Sequence, residues 1–149
     1  MPVGNVYHPL ASRLVFLSDL KHIEAGEKVR FLGCVEEYIV PSATLILKHN
    51  YPSTSAPITA HVNIEHVLES IKSTEMQVGA WLNVLGYVEK PPVYRPTRKL
   101  SRKQRASERG KVYVQAVMLW SAGAVKVDAY ERAVEQRKLA AGPTAIEKA

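Results

Sequence analysis

Hydrophobic and polar residues alternate along much of the chain, a pattern typical of strands that bury one face. In the stretch 28–39, Val29, Phe31 and Val35 share one face with Gly33, and this glycine predicts a bulge or a sharp bend. Similar alternation, or a short apolar run, predicts four more strands, at 44–49, 58–64, 81–88 and 112–120. The pattern therefore indicates a chain made mainly of β-strands.

Two stretches have the spacing of an amphipathic helix instead. Apolar residues at i, i+3, i+4 and i+7 predict a helix over 64–72, and Asn63 is placed to cap it. A last helix is predicted to begin near Asp128 and to stop at Gly142-Pro143. Because so short a helix is marginal in water, we expect it to dock on the sheet, on another chain, or on both. The stripe of this last helix consists of Tyr130, Ala133, Val134, Arg137 and Ala141.

The order of the elements is strand, strand, strand, helix, strand, strand, helix, and 149 residues fit one domain. This order matches an oligonucleotide/oligosaccharide-binding (OB) barrel, an all-β fold with five strands, here with added helices. An SH3-like barrel is the alternative, but the helix over 64–72 and the long connection between the fourth and fifth predicted strands favour the OB barrel. We predict one domain over 14–141, between flexible tails at 1–13 and 142–149. An apolar segment at 14–17 is expected to dock on its core.

Charge is distributed unevenly. The formal net charge is +6, yet residues 90–111 contain nine Lys or Arg and one acid, Glu108, while the remainder carries −2. This basic insert, as we call residues 90–111, connects the fourth and fifth predicted strands, a connection that borders the ligand-binding face of OB barrels. Its charge and its tyrosine suit a nucleic-acid backbone and one stacked base. The predicted nucleic-acid contacts are Lys90, Tyr94, Arg95, Arg98, Lys99, Arg102, Lys103, Arg105, Arg109 and Lys111.

The same insert has two other interpretations, a solvated disordered loop and a nuclear-import signal. Several aromatic residues outside it are further candidates for base stacking. For any one of these, cross-strand packing is the simpler interpretation. These aromatic candidates are Tyr38, Tyr51, Trp81, Tyr87 and Tyr113.

Little in the sequence indicates catalysis. Cys34 lies in the middle of a predicted strand without a histidine partner, and we expect it to be a small buried residue. His61 and His66 lack helical ligand spacing and no cysteine or acid completes a zinc set, so no metal, no cofactor and no enzyme are predicted. The single cysteine excludes an intramolecular disulfide. With no secretory signal visible, the sequence predicts a reducing compartment, the cytosol or the nucleus.

The fifth predicted strand carries more apolar surface than a barrel interior uses. Strict alternation places Ala116 and Met118 on one face and Val117 and Leu119 on the other, so both faces are apolar. An apolar patch of this kind usually marks an interface. We therefore expect the strand and the last helix to contact a helix of a partner, and a helix that only closes its own barrel is the alternative.

Four segments also carry a family resemblance. They are LVFLSDL (14–20), GEKVRFLGCV (26–35), VLESIKS (67–73) and QVGAWLNVLGYV (77–88). Together they resemble the smallest subunit of the telomere-capping CST complex in its fungal form. The resemblance spans about 12–88 and resumes over 112–138, and the basic insert is longer than in a compact family member.

The resemblance implies an OB-fold subunit that pairs with the middle CST subunit, much as the two small subunits of replication protein A pair. It further implies the large CST subunit, single-stranded telomeric DNA and DNA polymerase alpha–primase as partners, at telomeres in the nucleus. Two alternatives remain open: a subunit of a replication-protein-A-like complex acting on single strands generally, and a purely structural subunit that never touches DNA. By position, the implied contacts with the middle subunit are Val117, Leu119, Tyr130, Val134 and Arg137.

Overall fold

The part of the chain that the structure describes contains six strands, two α-helices and four short 3-10 helices. The computed structural model describes residues 11–54, 56–92 and 101–148. The strands are β1 (Arg13–Leu14), β2 (Lys28–Ile39), β3 (Thr44–Lys48), β4 (Thr59–Asn63), β5 (Trp81–Glu89) and β6 (Lys111–Ser121). The 3-10 helices cover Leu17–His22, Val40–Ser42, Glu65–Ser70 and Ser73–Met76, and the α-helices are α1 (Arg102–Arg109) and α2 (Val127–Lys148).

Five of the strands close into a barrel in the order β2–β3–β4–β6–β5, with β5 returning to β2. Closure is possible because the first half of β2 pairs with β5 and the second half with β3, and the partner changes at Cys34. β4 and β6 pair in parallel, and the other pairs of the barrel are antiparallel. This connectivity confirms the predicted all-β OB barrel. The two-residue β1, which pairs with β2, is an addition to the predicted strands, and its Arg13 falls within the range 1–13 that was predicted as a tail.

The core lies inside the barrel and is closed at one end by the N-terminal 3-10 helix. Leu17 and Leu20 of this helix are fully buried, as the apolar segment at 14–17 predicts. The inward positions of the strands alternate as predicted, because a barrel strand shows one face to the core. The fully buried side chains of the barrel strands include Val29, Phe31, Leu45, Leu47, Val62, Leu82, Val84 and Val114.

The register of β2 does not shift at Gly33, so the bulge, one of the two alternatives predicted there, is wrong. The register of β2 against β3 shifts between Val35 and Glu37, further along the strand. Gly33 instead faces into the barrel, where an added Cβ would lie 2.8 Å from the Cβ of Leu47. A glycine stands at this position because a larger side chain would collide with the neighbouring strand.

A second bulge corrects the predicted faces of β6. Ala116 pairs with Gly86 and Met118 pairs with Leu85, so Val117 is left without a partner in the register. The extra residue reverses the alternation from that point. As a result Leu119, not Met118, shares the buried side with Ala116, while Val117 and Met118 are both exposed.

Both predicted helices differ in extent from the observed ones. The segment 64–72 forms a 3-10 helix over Glu65–Ser70 and not an α-helix. This helix ends before Ile71, whose backbone is extended. The Oδ1 of Asn63 accepts a hydrogen bond from the backbone N–H of Glu65 at 2.9 Å, in keeping with its predicted capping role. α2 continues through Gly142-Pro143 to Lys148, so the predicted stop is wrong. Alanines on both sides of that pair favour helix and oppose the break.

The basic insert contains a helix. α1 occupies Arg102–Arg109 and leads directly into β6, so this part of the insert is not an irregular loop. Residues 93–100 of the insert and residues 1–10 of the N-terminal tail lie outside the described residues.

Candidate nucleic-acid and partner interfaces

A groove of about 770 Å³ lies where the basic insert leaves the barrel. Its walls come from the end of β2, the start of β3, β4, the end of β5 and the start of β6. A second cavity of about 470 Å³ continues from it and shares Glu89, Lys90 and Tyr113 with it. The residues that line the larger groove include Ile39, Thr44, His61, Asn63, Lys90 and Tyr113.

Two aromatic rings lie side by side in this groove. His61 and Tyr113 are register partners on the parallel strands β4 and β6, and their ring centroids are 5.4 Å apart with an interplanar angle of 38°. Burial and then the charge of Lys111 lower the pKa of His61, and burial raises the pKa of Tyr113. Both rings are therefore uncharged near neutral pH, and together they form a tilted, half-buried aromatic surface.

Lysines stand at the edge of the groove. Lys90 is exposed at the end of β5, and Lys111 begins β6. The Nζ of Lys111 donates a hydrogen bond to Oε2 of Glu108 at 2.7 Å, and this bond raises the pKa of Lys111. Glu108 therefore holds the Lys111 ammonium beside the second cavity and balances its charge.

The structure describes six of the ten predicted nucleic-acid contacts. Lys90 and Lys111 flank the groove, and Arg102, Lys103, Arg105 and Arg109 are exposed on α1. The structure thus places these cations on the helix that leads into the groove wall. The other four predicted contacts, Tyr94, Arg95, Arg98 and Lys99, lie outside the described residues.

Helix α2 docks on the outside of the barrel by one side. Val134 is 1% exposed, and the Nε2 of His49 lies 2.8 Å from Oε2 of Glu131. One helical turn after Val134, the Nζ of Lys138 donates a hydrogen bond to Oδ2 of Asp19 at 2.8 Å. These contacts fasten α2 both to the end of β3 and to the N-terminal 3-10 helix.

An aromatic cluster encloses His49, which is 5% exposed. The His49 ring lies within 6.2 Å, centroid to centroid, of four other rings. Neither this cluster nor its link to Glu131 was predicted, because the two residues are 82 positions apart and share no sequence pattern. The four rings are Phe16, Tyr51, Trp81 and Tyr130.

The predicted partner contacts separate into two groups. Leu119 and Val134 are buried within this chain, and Tyr130 packs in the His49 cluster, so these three side chains serve its own fold. Val117 and Arg137 are exposed. Two exposed apolar residues were missed: Met118, 54% exposed after the β6 bulge, and Leu139, 79% exposed on α2.

The described residues contain no group of three or more His, Cys, Asp or Glu side chains arranged to hold a metal ion. Cys34 is half-buried on the outer face of β2 rather than fully buried, and burial raises the pKa of its thiol. A raised pKa disfavours the reactive thiolate. No helix in the described part of the chain has the length and apolar character to span a membrane.

Comparisons with known proteins give one family and several similar folds. The family model described as "Ten1: Telomere capping, CST complex subunit" matches residues 4–135. The S. pombe Stn1-ten1 complex contains a chain with a TM-score of 0.60 and 23% identity, covering 88% of this chain and 95% of that one. For the telomere capping protein Ten1 from Saccharomyces pombe, the TM-score is 0.58 and the identity 23%, with coverages of 86% and 98%.

A more distant likeness is to U. maydis Replication protein A bound to ssDNA, with a TM-score of 0.53 and 15% identity, covering 90% of this chain and 95% of that chain. A search of the curated proteins found no match. At these identities the similar structures establish the shared fold, whereas the family match covers most of the sequence.

Proposed function

The chain belongs to the Ten1 family of telomere-capping CST complex subunits, and on this premise we propose that it pairs with a subunit of the Stn1 type. In this proposal the pair supports the binding of single-stranded telomeric DNA at chromosome ends in the nucleus. The large CST subunit and DNA polymerase alpha–primase complete its set of partners. The observation that carries the proposal is the family match over 4–135, which includes every barrel strand and the start of α2.

The chemistry of the described residues supports a binding role over catalysis. The thiol of Cys34 has a raised pKa. His49, the buried histidine, is enclosed by aromatic rings and engaged by Glu131, so a substrate has no access to it. The groove lined by Tyr113 also contains Lys90 and His61, and a cation beside aromatic rings suits binding of an anion and a planar group.

The surface proposed to meet the Stn1-type subunit is the α2–β6 face, which we define as Val117, Met118, Arg137 and Leu139. Arg30 of β2 lies near both elements, since its guanidinium is 5.5 Å from the centroid of the Trp120 ring of β6 and its charge also acts on Tyr130 of α2. This face contains three of the six large apolar side chains that are exposed among the described residues, namely Val117, Met118 and Leu139. Apolar side chains exposed beside a docked helix are typical of an interface.

Replacing Met118 and Leu139 together by glutamate is expected to prevent pairing with the Stn1-type subunit. Two carboxylates would lose water in an apolar contact without a partner charge. Because interface anchors contribute about 2 kcal/mol or more, the affinity is expected to fall at least about 30-fold. The measurement is co-purification of the tagged chain with the partner, followed by titration calorimetry of the purified pair.

Val40→Glu is the matched control, because Val40 is an equally apolar, 69% exposed residue that lies outside the α2–β6 face. This variant is expected to pair as the unmodified chain does. Changing Tyr130 and Val134 would not make a clean test, since a glutamate at the buried Val134 would undock α2 from its own barrel. Full affinity of the Met118 and Leu139 double variant would contradict the proposed pairing face.

A further inference from the structure

The pair of rings formed by His61 and Tyr113 belongs to neither the barrel core nor the α2–β6 face. We propose that it is a platform on which this chain itself stacks a base of a single-stranded nucleic acid. The proposal rests on the proposed function only for the class of ligand. It adds a base-contacting site within this chain, distinct from phosphate contacts of the basic insert.

The first argument is the direction of the two side chains. Their strand neighbours Ala60, Val62 and Val114 are fully buried, so His61 and Tyr113 project from the opposite, outer face of β4 and β6. A tilted pair at 5.4 Å presents more ring surface than one residue alone. Bases of any sequence have a flat π-face that can stack on such rings.

The second argument is the volume of the groove. About 770 Å³ lies within the range of roughly 300–1,000 Å³ that ligand pockets occupy. Thr44 and Asn63 add polar groups to its lining beside the rings. The site is therefore large enough for a base, with polar groups at its edge.

The third argument is the charge around the rings. Lys90, Lys111 and one acid, Glu89, line the second cavity together with Tyr113. Arg109, the last exposed cation of α1, lies two residues before Lys111. The rings themselves are uncharged because burial lowers the pKa of His61 and raises that of Tyr113. An uncharged aromatic pair with the Lys90 ammonium in the same groove is complementary to a nucleotide, in which a flat base is attached to a charged phosphate.

Mutual support of the two rings across the strands is the competing explanation, and it predicts a different result. If the rings only stabilise the sheet, replacing Tyr113 lowers the melting temperature and leaves nucleic-acid affinity unchanged. If they form a platform, the affinity falls. The test must therefore record binding and stability on the same variants.

The probe is a fluorescent single-stranded oligonucleotide of mixed sequence, together with a strand of equal length that is abasic throughout. Fluorescence anisotropy measures the binding of both strands to the full chain. Tyr113→Ser is expected to weaken binding of the strand with bases by about 5- to 100-fold, the range for loss of one stacked base. Binding of the abasic strand is expected to stay unchanged, because it depends on phosphate contacts alone.

Two control variants accompany this substitution. Tyr113→Phe preserves the ring and is expected to bind both strands as the unmodified chain does. Tyr87→Ser removes an aromatic residue on β5 that does not line the groove, and it is also expected to leave binding unchanged. Equal affinity of Tyr113→Ser and the unmodified chain for the strand with bases would overturn the proposal.

Photocrosslinking of the unmodified chain keeps the proposal testable if Tyr113→Ser fails to fold. A strand carrying 5-iodouracil is irradiated with the chain, and mass spectrometry locates the adduct. Attachment at Tyr113 or His61 supports the platform, and attachment only elsewhere overturns it. Neither experiment involves the Stn1-type subunit, so loss of the platform would leave the pairing result to decide the proposed function separately.

Discussion

Gly86 lies at a point of close approach between β5 and β6. A Cβ added there would overlap the carbonyl oxygen of Gln115 and come within 3.0 Å of Cα of Ala116. Gly86 is also one of the two β5 residues that face the bulge at Val117. The absence of a side chain at Gly86 therefore permits the bulge that brings Met118 to the surface.

Gly86→Ala is expected to lower the free energy of unfolding by about 1–3 kcal/mol, because the new methyl group meets backbone that cannot rotate away. Urea denaturation followed by tryptophan fluorescence measures the change. Gly123→Asn is the control: Gly123 has a φ of 60° and open space around it, and asparagine tolerates this backbone. The prediction fails if Gly86→Ala is as stable as the unmodified chain.

Single residues were predictable where their environment depends on near neighbours in sequence. Leu82, Val84 and Val88 face the core as predicted because alternation along one strand determines their side. The bulge was wrongly predicted at Gly33 because the side chain that restricts this position, Leu47, belongs to another strand. The same limit applies to His61 and Tyr113, which become neighbours only through the pairing of β4 with β6.

At the scale of elements, α2 is held by specific polar contacts as well as by apolar packing. Its own sequence has a narrow apolar stripe, so docking of Val134 alone would leave the helix weakly attached. The pair of His49 and Glu131 joins the helix to the end of β3, with side-chain exposures of 2% and 18%. Polar groups this deeply buried are costly to leave unpaired.

Glu131→Ala is expected to destabilise the docked helix by about 1–3 kcal/mol, since it leaves the buried His49 ring without its partner. Hydrogen exchange of the α2 amides and urea denaturation report the change. Glu135→Ala, an exposed acid on the same helix, serves as the control. A double-mutant cycle with His49→Ala isolates the pair, and additive effects would contradict a direct interaction.

The elements differ in how well the sequence predicted them. The barrel strands begin and end within one or two residues of the predictions, because alternation changes abruptly at turns. α2 was predicted to stop at Gly142-Pro143, but the helix continues to Lys148. Gly and Pro are local stop signals, and the predicted stop relied on these two residues alone.

At the scale of the whole molecule, charge and apolar surface occupy separate places. The +8 of residues 90–111 lies on the connection between β5 and β6, whereas the remainder, including the α2–β6 face, carries −2 in total. The sequence predicted this separation from composition alone. It could not predict that Arg102–Arg109 would form a helix beside a groove, since that depends on the closed barrel.

Replacing Arg102, Arg105 and Arg109 together by glutamine is expected to weaken single-strand binding and to flatten its dependence on salt. Each lost phosphate contact reduces the slope of log affinity against log salt by about 0.7, so three contacts reduce it by roughly 2. Anisotropy titrations of the full chain over a series of salt concentrations measure the slope.

The control variant replaces Lys72, Lys126 and Arg132 by glutamine, which removes the same charge from exposed positions away from α1. If the position of the cations matters, this variant keeps the original slope. Equal slopes in the two variants would show instead that only net charge attracts the strand.

The pairing of Glu89 with Tyr113 fixes both ends of the basic insert close together. The insert therefore connects two antiparallel neighbouring strands, and the free-energy cost of lengthening this connection is mainly the entropy of loop closure. That entropy grows only with the logarithm of loop length, so doubling the length costs about 0.6 kcal/mol. Insertions and deletions here are therefore nearly neutral for folding.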